Sequence, residues 1–155
     1  MSNTEQDICE EVRGKAEIYY NQGYNCAQAV ALSNVEILKG QTEGIIQLAA
    51  GFGKGMSAGC ACGALAGGVM AISLLLAGPA TKGFDKEISE TAAELHQRFI
   101  NEFGQTCCRG LRKKLSPFKN ARCKDITSTT AAITMELLLA RKRPSSVSVG
   151  VQPLQ

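Results

Sequence analysis

The chain has 155 residues, 45% of them hydrophobic and 20% charged, with a formal net charge of +3 and no tryptophan. That length accommodates one domain with a core of its own. The mild charge comes largely from Arg109–Lys114 and Arg141–Arg143; no aromatic residues interleave with them, so nucleic-acid binding is not expected.

Seven cysteines against a single histidine is the outlying feature. The N-terminus, MSNTEQDICEEVRG, is polar and acidic and lacks the apolar stretch of a secretory signal. A cytoplasmic chain is therefore expected, in which thiols stay reduced unless they are catalytic or metal-bound. Residues 56–81 are uncharged and long enough to span a bilayer. Their first half is Gly, Ala, Ser and Cys, however, and the Leu-rich part, 72–77, is short. A buried central helix is expected there, and no membrane span.

The punctuation reads as helices throughout. Thr4-Glu5-Gln6-Asp7 has the form of a capping box, and Ile8, Val12, Ala16 and Tyr19 then share one helical face. Gly23 stops that helix. Asn25 is positioned to cap a second, from Cys26 to about Lys39, and Gly40 to stop it. Thr42 is the expected cap of a third, through Ile45, Ile46, Leu48 and Ala49. Residues 51–59, GFGKGMSAG, hold four glycines and read as a loop. A fourth helix is expected over about 61–77, with Gly63, Gly67, Ala64, Gly68 and Ala71 as small-residue ridges that admit a close neighbour. Gly78-Pro79 ends it.

Residues 85–103 read as an amphipathic fifth helix, with Ile88, Ala92, Leu95, Phe99 and Phe103 inward and Gly104 as the stop. Glu90 and Glu94 fall on its solvated face, and His96 is expected to be partly exposed. Thr106 caps a short helix, CCRGLRKKL, broken at Ser116-Pro117. Asn120 caps the last, through Ile126, Ile133, Leu137 and Leu138 to about Arg141. The expected fold is all-α, a compact bundle of about five to seven helices around the Gly/Ala-rich one. Residues 1–142 form the helical cysteine-containing domain, and 143–155 a C-terminal tail or arm. The small-residue helix and the unanchored arm point to a homodimer.

On that map Cys26, Cys62, Cys107, Cys108 and Cys123 fall in the first turns of helices. Cys60 lies in the loop, and Cys9 on an exposed-looking turn of the first helix. Helix starts present unpaired N–H groups and a partial positive charge, which stabilise a thiolate. Thiolate is the form that binds metal or attacks a disulfide. The spacings match no zinc ribbon or finger, GFGKG is not a P-loop, and no Cys–His or Ser–His–Asp set is placed for nucleophilic catalysis.

GYNCAQAV (23–30), GFGKGM (51–56), Cys62-Gly63-Ala64-Leu65-Ala66-Gly67, FGQTCCRGL (103–111) and the downstream Cys123 together resemble the C_GCAxxG_C_C family, named for its cysteine pattern. The resemblance covers about residues 10–140. It implies a redox role and four marked cysteines, which fall by order and context on Cys26, Cys62, Cys108 and Cys123. Cys107 is the ambiguous neighbour of Cys108, Cys60 is extra to the pattern, and Cys9 lies outside it. A related helical module is similar to part of the split-Soret cytochromes, but no C-x-x-C-H occurs here for covalent haem attachment.

Three functions follow. The first is a four-thiolate centre on Cys26, Cys62, Cys108 and Cys123, holding an iron–sulfur cluster such as [2Fe–2S] for electron transfer or sensing, with a redox partner. Zinc on the same thiolates would be structural. The second is a metal-free thiol–disulfide protein in which those cysteines exchange. The third is a non-catalytic interaction protein. No acid/base pair for an organic substrate is visible.

Overall fold

The computed structural model describes residues 1–113 and 119–141. They form seven α-helices: α1 (Asn3–Asn21), α2 (Cys26–Ile37), α3 (Ile45–Ala49), α4 (Gly63–Leu76), α5 (Lys86–Phe103), α6 (Cys108–Lys113) and α7 (Lys119–Ala140). No strand occurs among the described residues, and the all-α expectation holds. None of their helices is long and apolar enough to cross a membrane. The break at Ser116-Pro117 and the 143–155 arm lie outside the described residues.

The cap of α1 is Ser2. Its hydroxyl accepts the Glu5 N–H at 3.2 Å while the Glu5 carboxylate accepts the Ser2 N–H at 2.8 Å. This reciprocal box needs a side chain as long as Glu at the third helical position. The Thr4–Asp7 box expected two residues later offers only Asp. The buried face of α1 is Cys9, Val12 and Ala16. Cys9, expected to be exposed, is 4% accessible and belongs to the core. The helix is turned so that Cys9 is fully on the buried stripe and Ile8 is half-buried at its edge.

Asn25 and Gln28 form a second box, at 2.9 and 3.0 Å, that starts α2. The same side chains reach outward: Gln28 donates to the Ile46 carbonyl at 2.8 Å, and Asn25 to those of Ala49 and Ala50 at 3.2 and 3.1 Å. They tie α3 to the start of α2. Thr42 does not cap α3; Gly44, at φ +81, precedes it without a side-chain cap.

Every residue from Ala27 to Val35 is buried, because α1, α3, α4 and α7 surround α2. Its closest neighbour is α4. A Cβ at Gly67 would stand 2.3 Å from the Ala27 carbonyl oxygen. A Cβ at Gly68 would meet Leu95 Cδ2 at 2.6 Å and Thr134 Oγ1 at 2.7 Å. Glycine on two faces therefore lets α4 lie against α2 on one side and against α5 and α7 on the other. The centre is this α2–α4 pair.

Asp85 caps α5 through the Ile88 N–H at 3.0 Å. Thr91, Leu95, Phe99 and Phe103 are buried, and Gly104 ends the helix at φ +85. Ile88 and Ala92 are half-buried and His96 is exposed. Glu90 and Glu94 pair with Lys86 and Arg141 on the solvent side. The last helix, α7, is already helical at Lys119, so Asn120 lies inside it rather than capping it. Its buried hydroxyls bond back along the helix, Thr127 to the Cys123 carbonyl at 2.7 Å and Thr134 to that of Thr130 at 2.8 Å.

Candidate functional site

Cys26, Cys62, Cys108 and Cys123 line one cavity of about 490 Å³, with Tyr20, Tyr24, Lys54, Arg112 and Ile126 among its other walls. Four elements deliver the thiols. Cys26 is the first residue of α2, behind the Asn25 cap. Cys62 occupies the cap position of α4, and Cys108 opens α6. Cys123 lies one turn inside α7, because that helix begins earlier than expected.

One short pairing decides which of the neighbouring cysteines face inward. The Cys62 N–H donates to the Thr106 carbonyl at 2.8 Å, and the Cys108 N–H to that of Cys60. Ala61 and Cys107 therefore stand opposite each other in an isolated β-bridge. Cys62 and Cys108 are buried toward the cavity, while Cys60 and Cys107 are exposed. The Cys107 thiol faces the Gly59 carbonyl at 3.4 Å. Cys9 is not among the cavity walls.

The preceding loop is strained. Lys54, Gly55, Met56 and Ser57 follow one another with φ +53, +62, +59 and +57. Non-glycine residues pay about 1–2 kcal/mol each for this left-handed conformation. Such strain persists where surrounding structure holds it, often at functional sites. Here the Cys60 N–H holds the Gly55 carbonyl at 3.0 Å, and Arg109 donates to that of Ala58 at 3.1 Å. The turn brings the Lys54 N–H onto the Cys26 sulfur. A Cβ at Gly55 would lie 2.7 Å from Cys108 Cβ, so glycine is required there.

Helix starts do face the sulfurs, but they do not make free thiolates. Burial pushes the Cys62 thiol up to about 12, and Cys26 beside it adds to the rise. The Leu65 and Ala64 N–H groups oppose that shift, although Cys62 makes no capping hydrogen bond of ordinary geometry. Burial likewise raises Cys26 against the Lys54 and Ala27 N–H groups. It raises Cys123 against the Arg112 guanidinium. The expected lowering by helix ends is thus present and outweighed, because desolvation penalises the charged form. The Tyr20 hydroxyl is raised by burial and then by Cys123 and Cys26, so it belongs to the same electrostatic neighbourhood.

Two cations of this site, Lys54 and Arg112, and both tyrosines escape a reading based on cysteines. Arg112 read as part of a solvated basic run. Its position four residues after Cys108 puts it on the same helical face, and that was the available signal. Among the described residues, no three His, Cys, Asp or Glu side chains gather closely enough to hold an ion. Four sulfurs on one tetrahedral zinc stand about 3.8 Å apart, given a Zn–S distance of about 2.3 Å. The thiols here line a wider space. A donor set of four sulfurs without imidazole or carboxylate has the chemistry of thiolate ligation, as in iron–sulfur or zinc sites.

No curated protein and no solved structure matches the chain. The profile of the family described as "Putative redox-active protein (C_GCAxxG_C_C)" matches residues 24–137, a span that includes all four cavity cysteines. With most of its length matched, the chain belongs to the C_GCAxxG_C_C family.

Proposed function

We propose that this protein is an electron-transfer or redox-sensing protein whose Cys26, Cys62, Cys108 and Cys123 hold an iron–sulfur cluster. The observation that carries the reading is the convergence of these four thiols, from four separate helices, on one cavity of about 490 Å³. A bound cluster would supply one-electron transfer.

The chain's own groups suit that task. Each thiol must lose its proton to become a ligand, which couples binding to proton release. The Leu65, Ala64, Lys54 and Ala27 N–H groups and the Arg112 guanidinium all favour the ionised sulfurs. Hydrogen bonds and charges of this kind tune a centre's potential. Ile126, Leu111 and the two tyrosines give the cavity apolar walls beside the thiols. Metal-free thiol exchange fits less well. It needs a thiolate at neutral pH and access to it, and Cys62 is both buried and held protonated.

The test is anaerobic purification followed by a visible spectrum and iron and sulfide analysis. Broad absorbance near about 400 nm, with iron and acid-labile sulfide in equal amounts, is the expected result for thiolate-held clusters. Cys62→Ser should abolish both, while Cys60→Ser and Cys107→Ser should retain them. Colourless protein with stoichiometric zinc would make the site structural. Colourless, metal-free protein whose four cysteines form exchanging disulfides would replace the reading with thiol chemistry.

A further inference from the structure

Exposed cations lie at the cysteine cavity and on the short helix α6 that walls it. Lys54 and Arg112 line the cavity and are exposed. Arg109 and Lys113 are exposed on the same short helix as Arg112, and Arg109 lies against the left-handed turn through the Ala58 carbonyl. None of these residues takes part in the ion pairs found among the described residues. The sequence holds no Asp or Glu from residue 44 to 84, nor from 103 to 124. The carboxylates nearest to the cavity walls along the chain are Glu17 and Asp125, and neither pairs with these cations. The turn also holds Met56 outward at 47% exposure, two residues after Lys54.

We infer that this surface docks the acidic face of a one-electron carrier protein. The inference rests on the redox reading and names the partner it requires. A single-sign surface steers an oppositely charged partner and raises its encounter rate. The exposed Met56, on the same turn as Lys54, supplies an apolar contact. The cations continue over the outer side of α6, beyond the cavity, so they match a protein surface rather than a small anion. Among the described residues, neither the left-handed turn nor α6 carries an aromatic ring for stacking on a nucleic acid. With a cluster bound on the cysteines, one electron would pass between it and the carrier at each encounter, one being oxidised as the other is reduced, with no bond formed.

The test uses the full chain and needs no iron, so its failure is distinct from failure of the cluster reading. Labelled poly-L-glutamate, as an acidic polypeptide, is titrated at low and high salt, with poly-L-lysine as the control of sign. Binding of the glutamate polymer alone is expected, weakening about tenfold or more at high salt. Arg109→Glu with Lys113→Glu should weaken it by a similar factor, and Lys39→Glu with Lys82→Glu, away from the cavity walls, should not. Bound polymer should also slow alkylation of the exposed Cys107. Absence of binding at low salt, or equal loss in both double variants, would overturn the proposal. So would tighter binding of a single-stranded oligonucleotide, or full competition by monomeric glutamate at equal charge.

Discussion

Gly63 lies directly against Cys26. A Cβ at position 63 would stand 2.5 Å from the Cys26 sulfur and 2.5 Å from the Phe52 carbonyl oxygen. The contact joins the starts of α4 and α2, so the missing side chain at 63 sets where a cavity thiol sits. Gly63→Ala should displace the thiol or the carbonyl and cost about 1–3 kcal/mol, the usual range for overpacking. Urea unfolding reads that cost, and iron content after anaerobic reconstitution reads the displaced ligand. Wild-type values in both would show that this contact does not position Cys26.

The metal-free protein should show two classes of thiol outside the cavity. Cys60 and Cys107 are exposed and Cys9 is buried in the core, where burial raises its pKa. Short treatment with iodoacetamide near neutral pH should label Cys60 and Cys107 first. Cys9 should react only when the protein opens, since alkylation needs both thiolate and access. Peptide mapping by mass spectrometry gives the order, and early labelling of Cys9 would contradict its placement between α1 and the core.

The α2–α4 pair depends on Gly67. Because a Cβ there would lie 2.3 Å from a backbone oxygen, that of Ala27, no rotamer change relieves the clash. Gly67→Ala should destabilise by about 2–3 kcal/mol despite alanine's better helix propensity. In a chain of this size each kcal/mol lowers Tm by roughly 2–4 °C. Thermal unfolding followed by circular dichroism measures this. An unchanged or higher Tm would mean that the two helices are not so closely apposed.

Glu36 gives the fold an acid-sensitive link. It accepts the Tyr19 hydroxyl and pairs with Lys15 at 2.9 Å. These partners hold its carboxyl below the ordinary value of 4.5. A depressed folded pKa contributes stability that is present above 4.5 and is lost as pH falls through the lower folded value. Glu36→Gln should remove that part of the acid limb, and the half-exposed side chain keeps the effect small. Unfolding midpoints between about pH 3 and 6 report it. Parallel pH profiles for variant and wild type would exclude the linkage.

Helix order and the cysteine pattern were legible because their causes are local. Asn25 and Gln28 sit three residues apart, and a capping box requires nothing beyond that spacing. Gly104 stops α5 through its own backbone angle. The same local reasoning placed Cys26 and Cys108 at helix starts, but it also put Cys107 in the first turn behind Thr106, whereas Cys107 precedes α6 in the bridge with Ala61. It erred where two adjacent signals competed, choosing Thr4 over Ser2 and placing the start of α7 too late.

Tertiary structure alone decided which thiols face inward, and with what consequence. Cys60 and Cys62 lie close together along the chain, and the selection is made by pairing with Thr106 and Cys108, more than forty residues away. Cys9 became a core residue because α1 is turned against α7, and its own helical face does not specify that rotation. Arg112, Lys54 and Tyr20 joined the site for the same reason: three separate elements meet there. The balance at the sulfurs was likewise not local. A helix start favours the thiolate through nearby N–H groups, whereas burial depends on everything packed around it, and at Cys62 burial prevails.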